Sequence, residues 1–98
     1  MNKTWKVLTS KKTDKQAVKL SQNILLIIKI LFEDLKTRGP ALPDWPNYGK
    51  LNCRKSKDKR HCHLQKGKPT YVCCWEVIDK KQKVIKVYYV GTHEKAPY

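Results

Sequence analysis

Residues 70–78 read TYVCCWEVI and residues 83–91 read KVIKVYYVG, two runs dense in β-branched and aromatic side chains with only DKKQ between them. So short a polar link between two strand formers points to an antiparallel hairpin. A third run, RHCHLQ at residues 60–65, precedes them across KGKP, so this part of the chain reads as a three-stranded antiparallel meander. A sheet of this kind has a face to bury, and the layer that covers it must come from elsewhere in the chain.

The preceding residues supply that layer. TWKVLT at residues 4–9 has the content of a first strand, expected at an edge of the sheet. KKTDKQAVKLS sets Ala17, Val18 and Leu20 on a polar background, as a short helix lying over another layer would. Ser21 suits an N-cap, Ile24, Ile27, Ile28, Leu31 and Leu35 recur at three-and-four spacing, and Gly39 with Pro40 supplies a stop. Leu25, Leu26, Ile30 and Phe32 widen the apolar surface beyond a core stripe, through either a thick core contact or a partner-binding surface. The run ILLIIKILF is too short to cross a bilayer, carries Lys29 at its middle and leads into Glu33 and Asp34 instead of a small-residue cleavage site. A soluble protein with no export signal and no membrane partner is expected. With 98 residues, 40% of them hydrophobic, the expectation is one α+β domain over residues 1–98. Its order is an N-terminal strand, two helices and the antiparallel meander, with the helices packed on one face of the sheet. Between helix and meander, residues 39–59 hold GPALPDWPNYGK and then most of CRKSKDKR, a long connection of the sort that carries function or moves.

Charge narrows the function. Lys and Arg number 22 against 8 Asp and Glu, a formal net charge of +14. A field of that sign favours a polyanion, and at this density nucleic acid is favoured over an acidic protein. The charge is also concentrated: Lys50, Arg54, Lys55, Lys57, Lys59, Arg60, Lys66 and Lys68 surround a single acid, Asp58. A phosphate-binding face has that distribution.

Cys53, Cys62, Cys73 and Cys74 form no C-x-x-C pair, and Cys73 and Cys74 are adjacent in a strand pattern, pointing to opposite faces. Cys53, His61, Cys62 and His63 have irregular spacing for zinc, so reduced, mostly buried thiols in a cytoplasmic protein are expected. The same alternation puts His61 and His63 on one face of their strand and Cys62 and Leu64 on the other. Histidine is the side chain whose ordinary proton affinity lies nearest neutral pH, so two imidazoles in a basic setting are able to divide base and acid roles. Antiparallel pairing brings THEKAPY, with His93, Lys95 and Tyr98, back toward LQKGKPT, where these groups would meet Lys66, Lys68 and the strand histidines.

The order of elements, and most specifically HCHLQKGKPTYVCCWEVIDKKQKVIKVYYVGTHEKAPY at residues 61–98, resembles the RelE-like toxins of bacterial type II toxin–antitoxin modules, within the RelE/ParE superfamily. The basic strand, the glycine turn, the apolar run from Tyr71 to Val77, Ile78 and Asp79, and the Val90–Gly91 step into a charged tail with a final tyrosine carry that resemblance. WPNYGKL, ahead of the basic loop, is similar to the segment these toxins carry before their second strand. The resemblance implies an endoribonuclease that cuts mRNA in the ribosomal A site without metal or cofactor and is silenced by a cognate antitoxin in a hetero-oligomer. It implies that His61 and His63 stand where the best-known members carry catalytic lysines. Lys95 then falls close to a tail arginine that contacts phosphate, Tyr98 matches the tyrosine that acts as base or stacks on a base, and His93 shares their tail. Many members have an arginine directly after the strand tyrosine; here Val72 follows Tyr71, so either Lys66 or Lys68 replaces that cation or the phosphate is held more weakly.

Two other functions fit the same chain: a gyrase inhibitor of the ParE branch, and a non-catalytic basic protein that binds RNA or the ribosome. Among the aromatics, Trp5, Trp75 and Tyr89 read as core and Trp45 as a loop anchor. Tyr48 is undecided, and Tyr71 either stacks on a base or packs.

Overall fold

The structure is a computed structural model describing residues 4–51, 57–65, 67 and 69–97. Its elements run β1 (Lys6–Leu8), α1 (Lys11–Val18), α2 (Gln22–Arg38), β2 (Gly49–Lys50), β3 (Asp58–Gln65), β4 (Tyr71–Asp79), β5 (Val84–Thr92) and a 3-10 turn at His93–Lys95. The expected order of strand, two helices and meander is present; β2 and the 3-10 turn are additions to it.

Both helices start where a serine takes up an orphan amide: Ser10 Oγ accepts from the Thr13 amide at 3.2 Å and Ser21 Oγ from the Ile24 amide at 3.4 Å. Helix α2 stops at Gly39, whose φ of +87° disfavours any side chain, and a Cβ there would meet Trp5 Nε1 at 2.9 Å. That close approach lets Trp5 cap the helix end, its backbone amide donating to the Lys36 carbonyl at 2.8 Å.

The sheet order is β1-β5-β4-β3-β2. Strands β3, β4 and β5 form the antiparallel meander, β1 joins β5 in parallel at one edge, and β2 pairs with β3 at the other. Ile24, Ile28, Leu31 and Leu35 of α2 form one core with Cys62, Leu64, Cys73, Trp75, Ile85 and Val87 from a single sheet face. Each leucine, isoleucine or valine among them, fully buried, contributes about 2 kcal/mol through loss of apolar surface to water. The widened apolar surface of α2 divides: Leu25 and Phe32 pack against this core, whereas Leu26 and Ile30 are 58% and 59% exposed. Among the described residues no helix is long and apolar enough to cross a membrane.

The connection after α2 is held by side chains. Trp45 Nε1 donates to Asp34 Oδ2 at 2.8 Å, Arg38 pairs with Asp44, and Trp75 Nε1 donates to the Pro40 carbonyl at 3.2 Å. Trp45 is thus the loop anchor its setting implied. Tyr48 stacks on Trp75 with ring centroids 6.1 Å apart, and the His63 amide donates to the Pro46 carbonyl at 2.7 Å. This packing delivers Gly49 and Lys50 to the edge of β3 as the short strand β2.

Candidate active site

The helices cover one face of the sheet, and the candidate site lies on the other. Its floor is a small second cluster of Val72, Cys74 and Tyr89, with Tyr88 and Ala96 against it. Above that floor, strand alternation raises Lys59, His61 and His63 from β3, in register with Glu76, Cys74 and Val72 of β4. The rings of His61 and His63 are 6.4 Å apart and tilted by 58°.

The third imidazole comes from the tail. Tyr71 is paired with Thr92 across β4 and β5, and the chain then turns, with the His93 amide donating to the Thr70 carbonyl at 2.8 Å. This sets the His93 ring 5.5 Å from that of His63, nearly edge to face at 70°. Gly91 makes the turn possible, because a Cβ there would lie 2.6 Å from Tyr89 Oη. Without that obstruction the Tyr89 phenol folds back and donates to the Thr92 carbonyl at 2.7 Å. Lys95 is exposed on the same 3-10 turn as His93.

Cation and hydrogen-bond partners fix the surroundings. Lys59 Nζ stands 4.9 Å from the centroid of Tyr88, whose ring it faces as a cation over a π surface. Tyr88 is the extra residue of a β-bulge, since Cys74 pairs with Tyr89 and Trp75 with Val87. His61 Nδ1 lies 3.1 Å from the Gly49 carbonyl oxygen, so β2 touches the site directly. Burial pushes the Cys74 thiol up to about 12 despite a hydrogen bond with Tyr88 and the nearby Lys59 charge, and pushes Cys62 up to about 12 as well. Cys73, fully buried, is raised well above its ordinary value, so these three thiols stay protonated packing groups. Among the described residues no group of three His, Cys, Asp or Glu is arranged to hold a metal ion.

Of the residues expected at the site, His61, His63 and His93 come together, with Lys59 on the same face and Lys95 on the same turn as His93. Lys57, exposed, precedes β3. Arg54, Lys55, Lys66, Lys68 and Tyr98 lie outside the described residues, as does Cys53. Arg60 is displaced from its expected role: it shares the helix-side face with Cys62 and Leu64 and is 7% exposed. Its Nε and Nη2 each donate to an Asp58 oxygen at 2.9 Å, and Nη1 donates to Tyr48 Oη at 3.0 Å. Lys50 pairs across the strands with Arg60 and sits on the same side, away from the histidines. Tyr71 packs against the helix-side core, the packing alternative of its two readings. Two contributors were absent from the sequence reading. Tyr88 is set by a bulge that sequence does not mark, and the Gly49 carbonyl depends on a strand pairing across the long connection.

Three imidazoles in a row over an apolar floor, flanked by lysines, can accept, hold and return protons around one anionic group. No family model matches the chain, and no curated protein sequence does. A chain in the crystal structure of the archaeal RelE–RelB complex from Pyrococcus horikoshii OT3 is similar, with a TM-score of 0.75 and 19% identity over 95% of this chain and 99% of that one. At that identity the likeness is one of architecture, and the fold of this protein is RelE-like.

Proposed function

We propose that the protein is the toxin of a type II toxin–antitoxin pair and a ribosome-dependent endoribonuclease acting on mRNA. The observation that carries this reading is the row His61, His63, His93 on the helix-free face of a RelE-like fold. One imidazole takes the proton of a ribose 2′-hydroxyl, whose oxygen attacks the adjacent phosphorus as the bond to the 5′-oxygen breaks. Another imidazole protonates that leaving oxygen. The products are a 2′,3′-cyclic phosphate and a 5′-hydroxyl, and only RNA carries the attacking group. Lys59, Lys57 and Lys95 offset phosphate charge, and Tyr98 serves as a stacking or proton-handling group at the end of the tail. The net charge of +14 docks the protein on ribosomal RNA.

The partner is an antitoxin, as in the RelE–RelB complex of the archaeal structure. Leu26, at the groove between α1 and α2, and Ile30, one helical turn further along α2, are both exposed and provide apolar surface for it. The test is expression in growing bacteria with and without the neighbouring reading frame, with message integrity read by primer extension. Cut transcripts that become whole when both frames are expressed are expected. Growth arrest with intact transcripts would reject the nuclease in favour of gyrase inhibition or plain RNA binding.

A further inference from the structure

Resting on the nuclease reading, we infer that His61 is the general base, acting through Nε2, and that the neighbouring pair His63 and His93 holds the proton delivered to the leaving group. The Gly49 carbonyl oxygen 3.1 Å from His61 Nδ1 has no proton to give, so Nδ1 must donate. A neutral imidazole carries one N–H. With that proton on Nδ1, the lone pair is at Nε2.

The arrangement is built by strand pairing. Gly49 and His61 are Cα partners of β2 and β3, and Lys50 with Arg60 fixes the register beside them. A Cβ on Gly49 would lie 3.7 Å from His61 Cε1, so the ring lies close against bare backbone. His61 is therefore half-buried and oriented, whereas His93 is exposed on its turn. The His63 and His93 rings meet nearly perpendicularly, with centroids 5.5 Å apart, which makes them a contacting pair separate from the oriented His61. Among the described residues of the three long strands, the charged groups on the same face are Lys59, and Glu76 with Lys86 in register beside it; Lys95 lies on the turn of His93. The His61 and His63 ring centroids are 6.4 Å apart, close enough for both imidazoles to reach one phosphodiester.

In the step, His61 Nε2 takes the 2′-hydroxyl proton as the O2′–P bond forms. The P–O5′ bond breaks, and the proton on O5′ comes from the His63–His93 pair.

The first test is the tautomer. In the full-length chain with ¹⁵N-labelled histidine under alkaline conditions, the resonance lost on His61→Asn is expected to report a proton on Nδ1 and a bare Nε2. A proton on Nε2 overturns the assignment. The second test uses ribosome-bound mRNA whose scissile linkage carries a bridging 5′-sulfur, which departs without protonation. His61→Asn keeps an amide near the Nδ1 position to donate to Gly49, so the fold is retained while the base is lost. On the sulfur linkage His63→Gln or His93→Gln should recover roughly 100-fold, the contribution of a general acid, and His61→Asn should not. Rescue of His61→Asn would overturn the base assignment alone. A parent protein that leaves both linkages whole would overturn the nuclease reading together with it.

Discussion

Arg60 sits in the most basic part of the chain yet directs its charge inward, to Asp58 and Tyr48. The Asp58 carboxyl is held below its ordinary value of 3.8, first by hydrogen bonds from Arg60 and then by the Arg60, Lys50 and Lys80 charges, against the opposing effect of burial. A depressed carboxyl stabilises the fold fully above its unfolded value and loses that contribution as pH falls through its folded one. Stability should therefore drop on acidification below about pH 3.8. Asp58→Asn should lack that part of the slope and, by leaving a buried guanidinium uncompensated, cost on the order of 3 kcal/mol in urea unfolding. A second outcome belongs to the row itself: His63→Ala should slow cleavage about 100-fold or more in a primer-extension time course while the circular dichroism spectrum is retained. The parity that gathers His61 with His63 was legible in HCHL, and the same parity assigns Arg60 to the face of Cys62 and Leu64. Arg60 was misread because the count of positive charges outweighed the alternation that contains it.

At the level of elements, the tail is clamped by β5. Gly91→Ala would press a methyl onto the Tyr89 hydroxyl, which lies 2.6 Å from the Cβ position, and would break its bond to Thr92. A loss of about 1–3 kcal/mol is expected, from an overpacked contact in the small core, together with weakened cleavage as His93 leaves His63. Tyr89→Phe removes the bond but leaves the space, so about 1 kcal/mol should be lost. Thermal unfolding of the two variants beside the parent separates the effects. The three long strands and both helices followed from periodicity, caps and short links, and the return of the tail followed from antiparallel pairing. Strand β2 and the 3-10 turn did not, because hydrogen bonds between distant segments decide them: Leu51 amide to Lys59 carbonyl at 2.8 Å, and His93 amide to Thr70 carbonyl at 2.8 Å. Neither segment has a local pattern that marks it.

For the molecule as a whole, the two sheet faces divide the work: one is buried by helices that keep Leu26 and Ile30 on their outer surface, and the other carries imidazoles and lysines. If RNA docks on the second face, neutralising Lys59 with Gln should weaken binding evenly across sequences and lower the slope of log affinity against log salt by about 1. Fluorescence anisotropy titrations at several salt concentrations measure this. Ile30→Glu should spare cleavage while releasing the protein from antitoxin control, scored by growth with both frames expressed. The rims of the sheet bear on a different property. β1 spans Lys6–Leu8 and β2 only Gly49–Lys50, and very short strands at both rims are one of the ways a sheet discourages a neighbouring molecule from adding a strand. A concentrated solution of this protein is thereby guarded against fibril growth by strand addition, even though most of its sheet is long and apolar.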